Sequence, residues 1–345
     1  MMIKELVTKY DKNNQFDVLI NSYKQIEFVW NNKIDINSLK EKTFKSLFFS
    51  GLGGSAISAD LIYNFLRADL KLPLYVNRNY TLPDFVSDDF LIIISSYSGN
   101  TEETVSVLKD AVAKKCNIVC ITTGGKVEQI AEENGLPIIK VQPGFQPRYA
   151  LGLSLFSLLK LLQELNIIPN HNKIVNRTID LWKSKGEEYS KEDNQALKYA
   201  EKILGHIPII YSAADITSAI GYRLKGQLNE NSKNHAFCNV IPEMNHNEII
   251  GWETHLQNKF PSIVINIMDP IYHPQVNKRF EIISSLIKDK GVEVLELEGK
   301  HEDFKFRFLE LVYLCDWISY YLAILKNMDP SEIDYIHYLK NELSK

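Results

Sequence analysis

Apolar positions along the chain change their spacing near residue 45. Over residues 1–40, Leu19, Ile20, Tyr23, Ile26 and Val29 recur among polar residues. That spacing puts an apolar stripe on one face of a helix, and it predicts helical segments that cover the first domain. Beyond residue 45, short apolar runs at 46–49, 74–76, 90–94, 118–121 and 138–141 alternate with amphipathic stretches such as 56–66, 102–113 and 127–134. Strands that are apolar on both faces are buried on both faces. Alternating with helices, they build a parallel sheet from βαβ units. The apolar stretch 151–165 closes this half as a buried helix.

An Asn-rich polar connection follows at 166–176, then a charged helical stretch to about residue 204. A second half starts there, with strands expected at 207–211, 236–240, 262–266 and 292–297 and helices at 215–228, 275–290 and 304–326. Strand, small-residue turn and helix occur in that order at 48–59 and again at 209–221, as in a duplicated fold. The fold class is α/β. The expected divisions are a helical segment at 1–40, a first α/β subdomain at 41–165, connecting helices at 166–203, a second subdomain at 204–328 and a C-terminal helix at 329–345.

Composition narrows the function. A chain of 345 residues suits two domains. With 45% hydrophobic and 24% charged residues it can build a sizeable core. A formal charge of −4 without a long basic run argues against nucleic acid as the main partner and leaves a small molecule. Cys116 and Cys120 flank an apolar run and read as small buried hydrophobes, and with Cys238 and Cys315 they imply no disulfide framework. No signal-peptide core and no uncharged run of membrane-spanning length is evident, so a cytoplasmic protein that does not engage a membrane is expected.

Two loops carry the candidate chemistry. Residues 51–56, Gly-Leu-Gly-Gly-Ser-Ala, follow one apolar strand and open a helix. Glycines let backbone approach a ligand closely, and a helix N-terminus attracts anions. A plain strand-to-helix turn explains this loop equally well. Residues 96–101, Ser-Tyr-Ser-Gly-Asn-Thr, follow the strand expected to be central and precede the helix from Glu102. Hydroxyls at the carboxyl end of a parallel strand lie where ligands sit in open sheets. They can coordinate a phosphate with little basic charge. The competing account is simple helix capping by Ser98 or Thr101.

Ser-Tyr-Ser-Gly-Asn-Thr-Glu-Glu-Thr after a hydrophobic strand resembles the phosphosugar loop of SIS (sugar isomerase) domains, and Gly-Gly-Ser-Ala fits the first loop of the same fold. The resemblance runs through most of the chain and is closest to the bifunctional phosphoglucose/phosphomannose isomerases. It implies two SIS-type subdomains, each a flavodoxin-like αβα sandwich with a parallel sheet. It also implies a phosphate held by Gly54, Ser55, Ser96, Ser98 and Thr101. The implied reaction is aldose–ketose isomerisation between glucose 6-phosphate, mannose 6-phosphate and fructose 6-phosphate, with no cofactor and no metal.

The resemblance also distributes catalytic roles. The Glu-Asn-Ser-Lys segment at 230–233 is similar to the one that carries the catalytic base, which falls on Glu230. The Asn-His-Asn-Glu segment at 245–248 puts ring opening on His246, supplied by the neighbouring subunit of a homodimer. His suits that step because its unperturbed pKa is near 6.5. Glu243 and Glu248 are expected to structure that loop. Gln-Pro-Arg-Tyr-Ala at 146–150 resembles the segment whose arginine stabilises the enediolate, here Arg148, a permanently charged planar donor. A lysine near the end of the C-terminal helix maps to Lys340. Ser331 is one candidate for tolerance at C2. The same loops would serve a phosphosugar deglycase or a non-catalytic phosphosugar sensor. Residues 1–40 are too short and too weakly basic for the DNA-binding module such sensors carry.

Overall fold

The apolar runs become parallel strands in two separate sheets, as burial on both faces demands. The structure is a computed structural model that describes residues 3–343. The chain divides into a first unit, Asn21–Asp180, and a second unit made of Met1–Ile20 and Leu181–Lys345.

Helices α1 (Ile3–Tyr10) and α2 (Gln15–Ile20) belong to the second unit. Phe16 packs edge-on against Trp317 at 5.4 Å, the Tyr313 hydroxyl donates to the Leu19 carbonyl at 2.6 Å, and the Tyr320 hydroxyl donates to Asp11 at 2.9 Å. The expectation that the whole N-terminal segment covers the first domain therefore fails for its first twenty residues. Periodicity reveals an apolar face but not which distant side chains cover it.

The first unit continues with α3 (Tyr23–Asn31), α4 (Asn37–Lys40), β1 (Ser46–Ser50), α5 (Gly53–Phe65), β2 (Leu74–Asn77), β3 (Phe90–Ser96), α6 (Glu102–Ala113), β4 (Asn117–Thr122), α7 (Gly125–Glu133), β5 (Ile138–Lys140) and α8 (Leu151–Glu164). Its strands lie in the order β2-β1-β3-β4-β5, all parallel, with Phe49 beside Ile93 and Ile94 beside Cys120. Phe48, Ile92, Ile94, Ile118 and Cys120 of the strands bury with Val107 and Leu108 of α6. Lys160 of α8 is buried and donates to the carbonyls of Val29 (3.1 Å), Trp30 (2.9 Å) and Asn32. It thereby satisfies the orphan acceptors at the end of α3.

The division between the units falls within α9 (Asn172–Tyr189). The second unit then runs through α10 (Gln195–Ile203), β6 (Ile207–Ala213), α11 (Ser218–Ser232), β7 (Phe237–Ile241), β8 (Ser262–Met268), α12 (Pro274–Lys288), β9 (Glu293–Glu298), α13 (Phe304–Leu325) and α14 (Asp334–Leu343). Its parallel sheet has the order β7-β6-β8-β9. Helix α13 is apolar all round, long and apolar enough to cross a membrane, and 94% of its apolar window is buried inside the protein. Packed by α10 and α11, it is the core helix of this unit, as an all-round apolar pattern requires. All four cysteines are free.

Candidate active site

In the first sheet the chain passes from β1 outward to β2, then back across to β3. The strand order therefore reverses between β1 and β3, and the crevice at such a switch point is where open α/β sheets bind ligands. Both candidate loops stand there, one after each strand. The first loop lies against the end of β3: a Cβ on Gly51 would lie 2.9 Å from the Ser95 carbonyl oxygen.

Each loop delivers a helix N-terminus to the crevice. Helix α5 starts at Gly53, three residues earlier than the apolar pattern suggests, so Gly54 and Ser55 lie in its first turn. The cap positions of α5 and α6, Leu52 and Thr101, make no side-chain capping hydrogen bond. Capping by Thr101 is thus not what its hydroxyl does. It pairs instead with the Ser96 hydroxyl at 2.9 Å. Ser98 is exposed and its hydroxyl accepts the Asn100 N–H at 3.3 Å. Two uncapped helix starts, each with the positive end of its dipole at one crevice, suit a multiply charged anion.

The loop is held from behind by the turn between β4 and α7. Val127 N–H donates to the Gly99 carbonyl at 2.9 Å, and Lys126 N–H donates to Asn100 Oδ1 at 3.2 Å. Thr123 donates to the Tyr97 carbonyl through both its N–H (3.0 Å) and its hydroxyl (2.7 Å). Gly99 has φ +68°, and a Cβ there would overlap the Gly124 carbonyl. Only glycine fits so close an approach with that backbone conformation.

Arg148 joins this cluster. It sits in a 3-10 turn, Pro147–Tyr149, just before α8 and is 3% exposed, so it is not a surface arginine. A Cβ on Gly54 would lie 2.7 Å from the Pro147 carbonyl oxygen and 3.3 Å from the Arg148 nitrogen, which seats the arginine turn directly on the first turn of α5. The first unit therefore brings together Gly54, Ser55, Ser96, Ser98, Thr101 and Arg148.

The second sheet has its own switch point, between β6 and β8, where polar side chains bond to one another. The Thr217 hydroxyl, just before α11, accepts the Ala213 N–H at 3.1 Å and pairs with the buried Tyr272 hydroxyl, which also donates to the Ile267 carbonyl at 2.7 Å. Asp269, after β8, pairs with Arg307 at 2.8 and 2.9 Å.

This unit carries the remaining candidates. Glu230 lies in the last turn of α11, half-buried. The helix around it is fastened to α13: Asn231 Nδ2 donates to Ser319 Oγ at 2.9 Å and the Ser232 hydroxyl donates to the Ser319 carbonyl at 2.7 Å. Lys233 closes the helix in the left-handed conformation, φ 47°. Lys326 donates to the Lys233 carbonyl at 2.9 Å. Glu230, Lys233, Met328, Ile333 and Tyr335 line an open cleft of about 450 Å³. Lys233, given no role by sequence reasoning, is thus beside the candidate base. Lys340 is exposed on α14 and is not among the residues that line this cleft.

His246 ends a separate 3-10 turn, Glu243–His246, and is exposed. Buried Met244 anchors that turn in the core, and Asn245 accepts from Arg279 at 3.2 Å. Glu248 accepts from the Tyr211 hydroxyl and from Asn239, both at 2.7 Å, while Glu243 accepts from Asn247 at 3.2 Å. Both acids are tied up in shaping the loop, and His246 is exposed at its end. Among the described residues, no three His, Cys, Asp or Glu side chains group as metal ligands would.

Comparison with known proteins agrees with this frame. Residues 192–343 match the family model of the bacterial phospho-glucose isomerase C-terminal SIS domain. A bifunctional phosphoglucose/phosphomannose isomerase of Aquifex aeolicus is 37% identical over 94% of this chain and 98% of its own. One from Caldicellulosiruptor bescii is 37% identical over 96% and 99%. A hypothetical protein of Thermus thermophilus, solved by crystallography, superposes with a TM-score of 0.75 at 13% identity, covering 99% of this chain and 92% of that one. Full-length similarity at this level places the chain in the family of bifunctional phosphoglucose/phosphomannose isomerases.

Proposed function

We propose that the protein interconverts glucose 6-phosphate and mannose 6-phosphate with fructose 6-phosphate. The observation that carries this reading is the crevice between β1 and β3, where two uncapped helix starts, the Ser96–Thr101 hydroxyl pair and buried Arg148 converge. The phosphate is anchored by the N–H groups at Gly54 and Ser55 and by the hydroxyls of Ser96, Ser98 and Thr101.

His246 passes a proton to the ring oxygen and takes one from the anomeric hydroxyl, opening the ring. It acts from the partner subunit of a homodimer. Its exposure on an anchored turn supports delivery outward rather than into its own core. Glu230 then takes the proton from C2. The C–H electron pair becomes the C1–C2 double bond, and the proton returns at C1 while another moves between O1 and O2. Arg148 offsets the negative charge of the enediolate, and Lys340 contributes from α14. Removing the C2 proton erases that stereocentre, so both aldose epimers give the same enediolate. That is the chemical reason one site serves both.

The test is an isomerase assay on both aldose phosphates, with and without chelator. Turnover of both, unaffected by chelator, is expected. Inactivity on both, or turnover of an amine-linked phosphosugar instead, would overturn the reading.

A further inference from the structure

Tyr97 stands between the two serines of the phosphate loop, yet its side chain reaches elsewhere. Its hydroxyl donates to the Gln142 carbonyl at 2.9 Å and accepts the Phe145 N–H at 2.9 Å. Burial raises the phenol above its ordinary 10.0. Its carbonyl is the one that Thr123 grips twice. The residue is fixed at both ends, its backbone to the β4–α7 turn and its hydroxyl to residues 142–145.

Those residues lead from β5 into the arginine turn. They form no helix or strand, and Gly144 adopts φ +100°. Two residues, Gln146 and Pro147, separate Phe145 from Arg148. The proline ring fixes its own φ and restricts the residue before it, so the link is stiff. On the far side, Gln25 donates to the Tyr149 carbonyl at 2.8 Å, and Gly54 abuts Pro147 from below. Tyr97 reaches from the phosphate loop to the segment that leads into this turn.

We infer that Tyr97 is a positioning residue, which sets Arg148 in register with the phosphate loop through its two hydrogen bonds to segment 142–145. The inference rests on the role given to Arg148 under Proposed function. The loop that anchors the phosphate then also sets the place of the arginine that stabilises the enediolate. A shift of the arginine turn leaves phosphate binding intact and weakens the chemistry.

The test is Tyr97→Phe, which keeps the ring and removes the bridging oxygen. Misplacement of about 1 Å at a reacting centre costs up to about 100-fold, and with the Gln25 and Gly54 supports retained the expected fall in kcat is roughly tenfold. KM and inhibition by inorganic phosphate should stay unchanged. In an Arg148→Ala background, Tyr97→Phe should add no further loss, because the group it positions is gone. Gly144→Ala strains the same segment with Tyr97 intact and should give the same split between kcat and KM. A wild-type kcat in Tyr97→Phe, an equal further loss in the Arg148→Ala background, or weaker phosphate inhibition with unchanged kcat would each overturn the inference. Full activity in Arg148→Ala alone would overturn the role of Arg148 as well, and that result is read without reference to Tyr97.

Discussion

Arg223 on α11 and Asp316 on α13 form a bidentate ion pair, Nε to Oδ1 at 2.9 Å and Nη2 to Oδ2 at 2.8 Å, with both side chains almost wholly buried. Gln227 adds a third donor to Asp316 at 3.0 Å. The pair locks the helix that carries Glu230 to the core helix beside it. Removing one partner of a buried pair leaves an uncompensated charge, at a cost of about 3–5 kcal/mol. Arg223→Met should lower stability by that amount in urea denaturation. Arg223→Met combined with Asp316→Leu should recover most of the loss, since no buried charge remains. A double variant as unstable as the single one would mean the helices depend on the pair itself rather than on avoiding a stranded carboxylate.

Glu230→Gln should separate binding from chemistry. The amide keeps the size and polarity of the carboxylate but cannot accept the C2 proton. General acid–base groups contribute about 100- to 10,000-fold, so kcat should fall by at least about 100-fold with little change in inhibition by a non-reactive phosphosugar. The end of α11 should stay fastened in this variant, because Asn231 and Ser232 keep their bonds to Ser319. Retained turnover would remove Glu230 from its role as base.

How much of this was legible in the sequence depends on whether a feature is local. The inner strands β1, β3, β4 and β8 were legible because apolar runs buried on both faces have no other home in a parallel α/β sheet. Residues 96–101 were legible because a hydroxyl-rich loop between strand and helix is a local pattern. The start of α5 was not, since glycine propensity argues against helix at Gly53 and Gly54, and the close approach of Pro147 that leaves no room for a Cβ at Gly54 is a tertiary contact. Membership of α1 and α2 in the second unit was equally hidden, being decided by Tyr313, Trp317 and Tyr320 at the far end of the chain. The grip of Tyr97 on residues 142–145 ends on backbone groups, which leave no trace in side-chain pattern.

Gly99→Ala tests whether the shape of the phosphate loop, rather than its hydroxyls alone, creates the anion site. The left-handed conformation costs about 1–2 kcal/mol for a residue with a Cβ, and here the added carbon also overlaps the Gly124 carbonyl. The loop or the β4–α7 turn must move. Thr101 would then leave its place beside Ser96. The expected result is a KM for sugar phosphate raised by roughly tenfold or more, equivalent to about 1.4 kcal/mol, with a lowered melting temperature. If KM holds while stability drops, the loop's shape matters for folding only.

Stability should fall in alkali. Burial pushes the Cys120 thiol up to about 12 from its ordinary 9.0 and raises Cys315 as well. The phenols of Tyr189, Tyr211, Tyr272 and Tyr321 are likewise raised above 10.0, chiefly by burial. Each group stays neutral in the folded protein over a range where the unfolded chain ionises. Above the unfolded values the unfolded state binds fewer protons, so stability decreases as pH rises. The contribution is complete below 9.0 and is lost progressively above 9.0 for the thiols and above 10.0 for the phenols, continuing to about 12 for Cys120. Each group supplies a slope of at most about 1.4 kcal/mol per pH unit. The urea midpoint should be level near neutrality and steepen downward beyond these values, and Cys120→Val should soften its first part. A midpoint that stays level while the unfolded tyrosines ionise would mean that these side chains reach solvent in the folded protein.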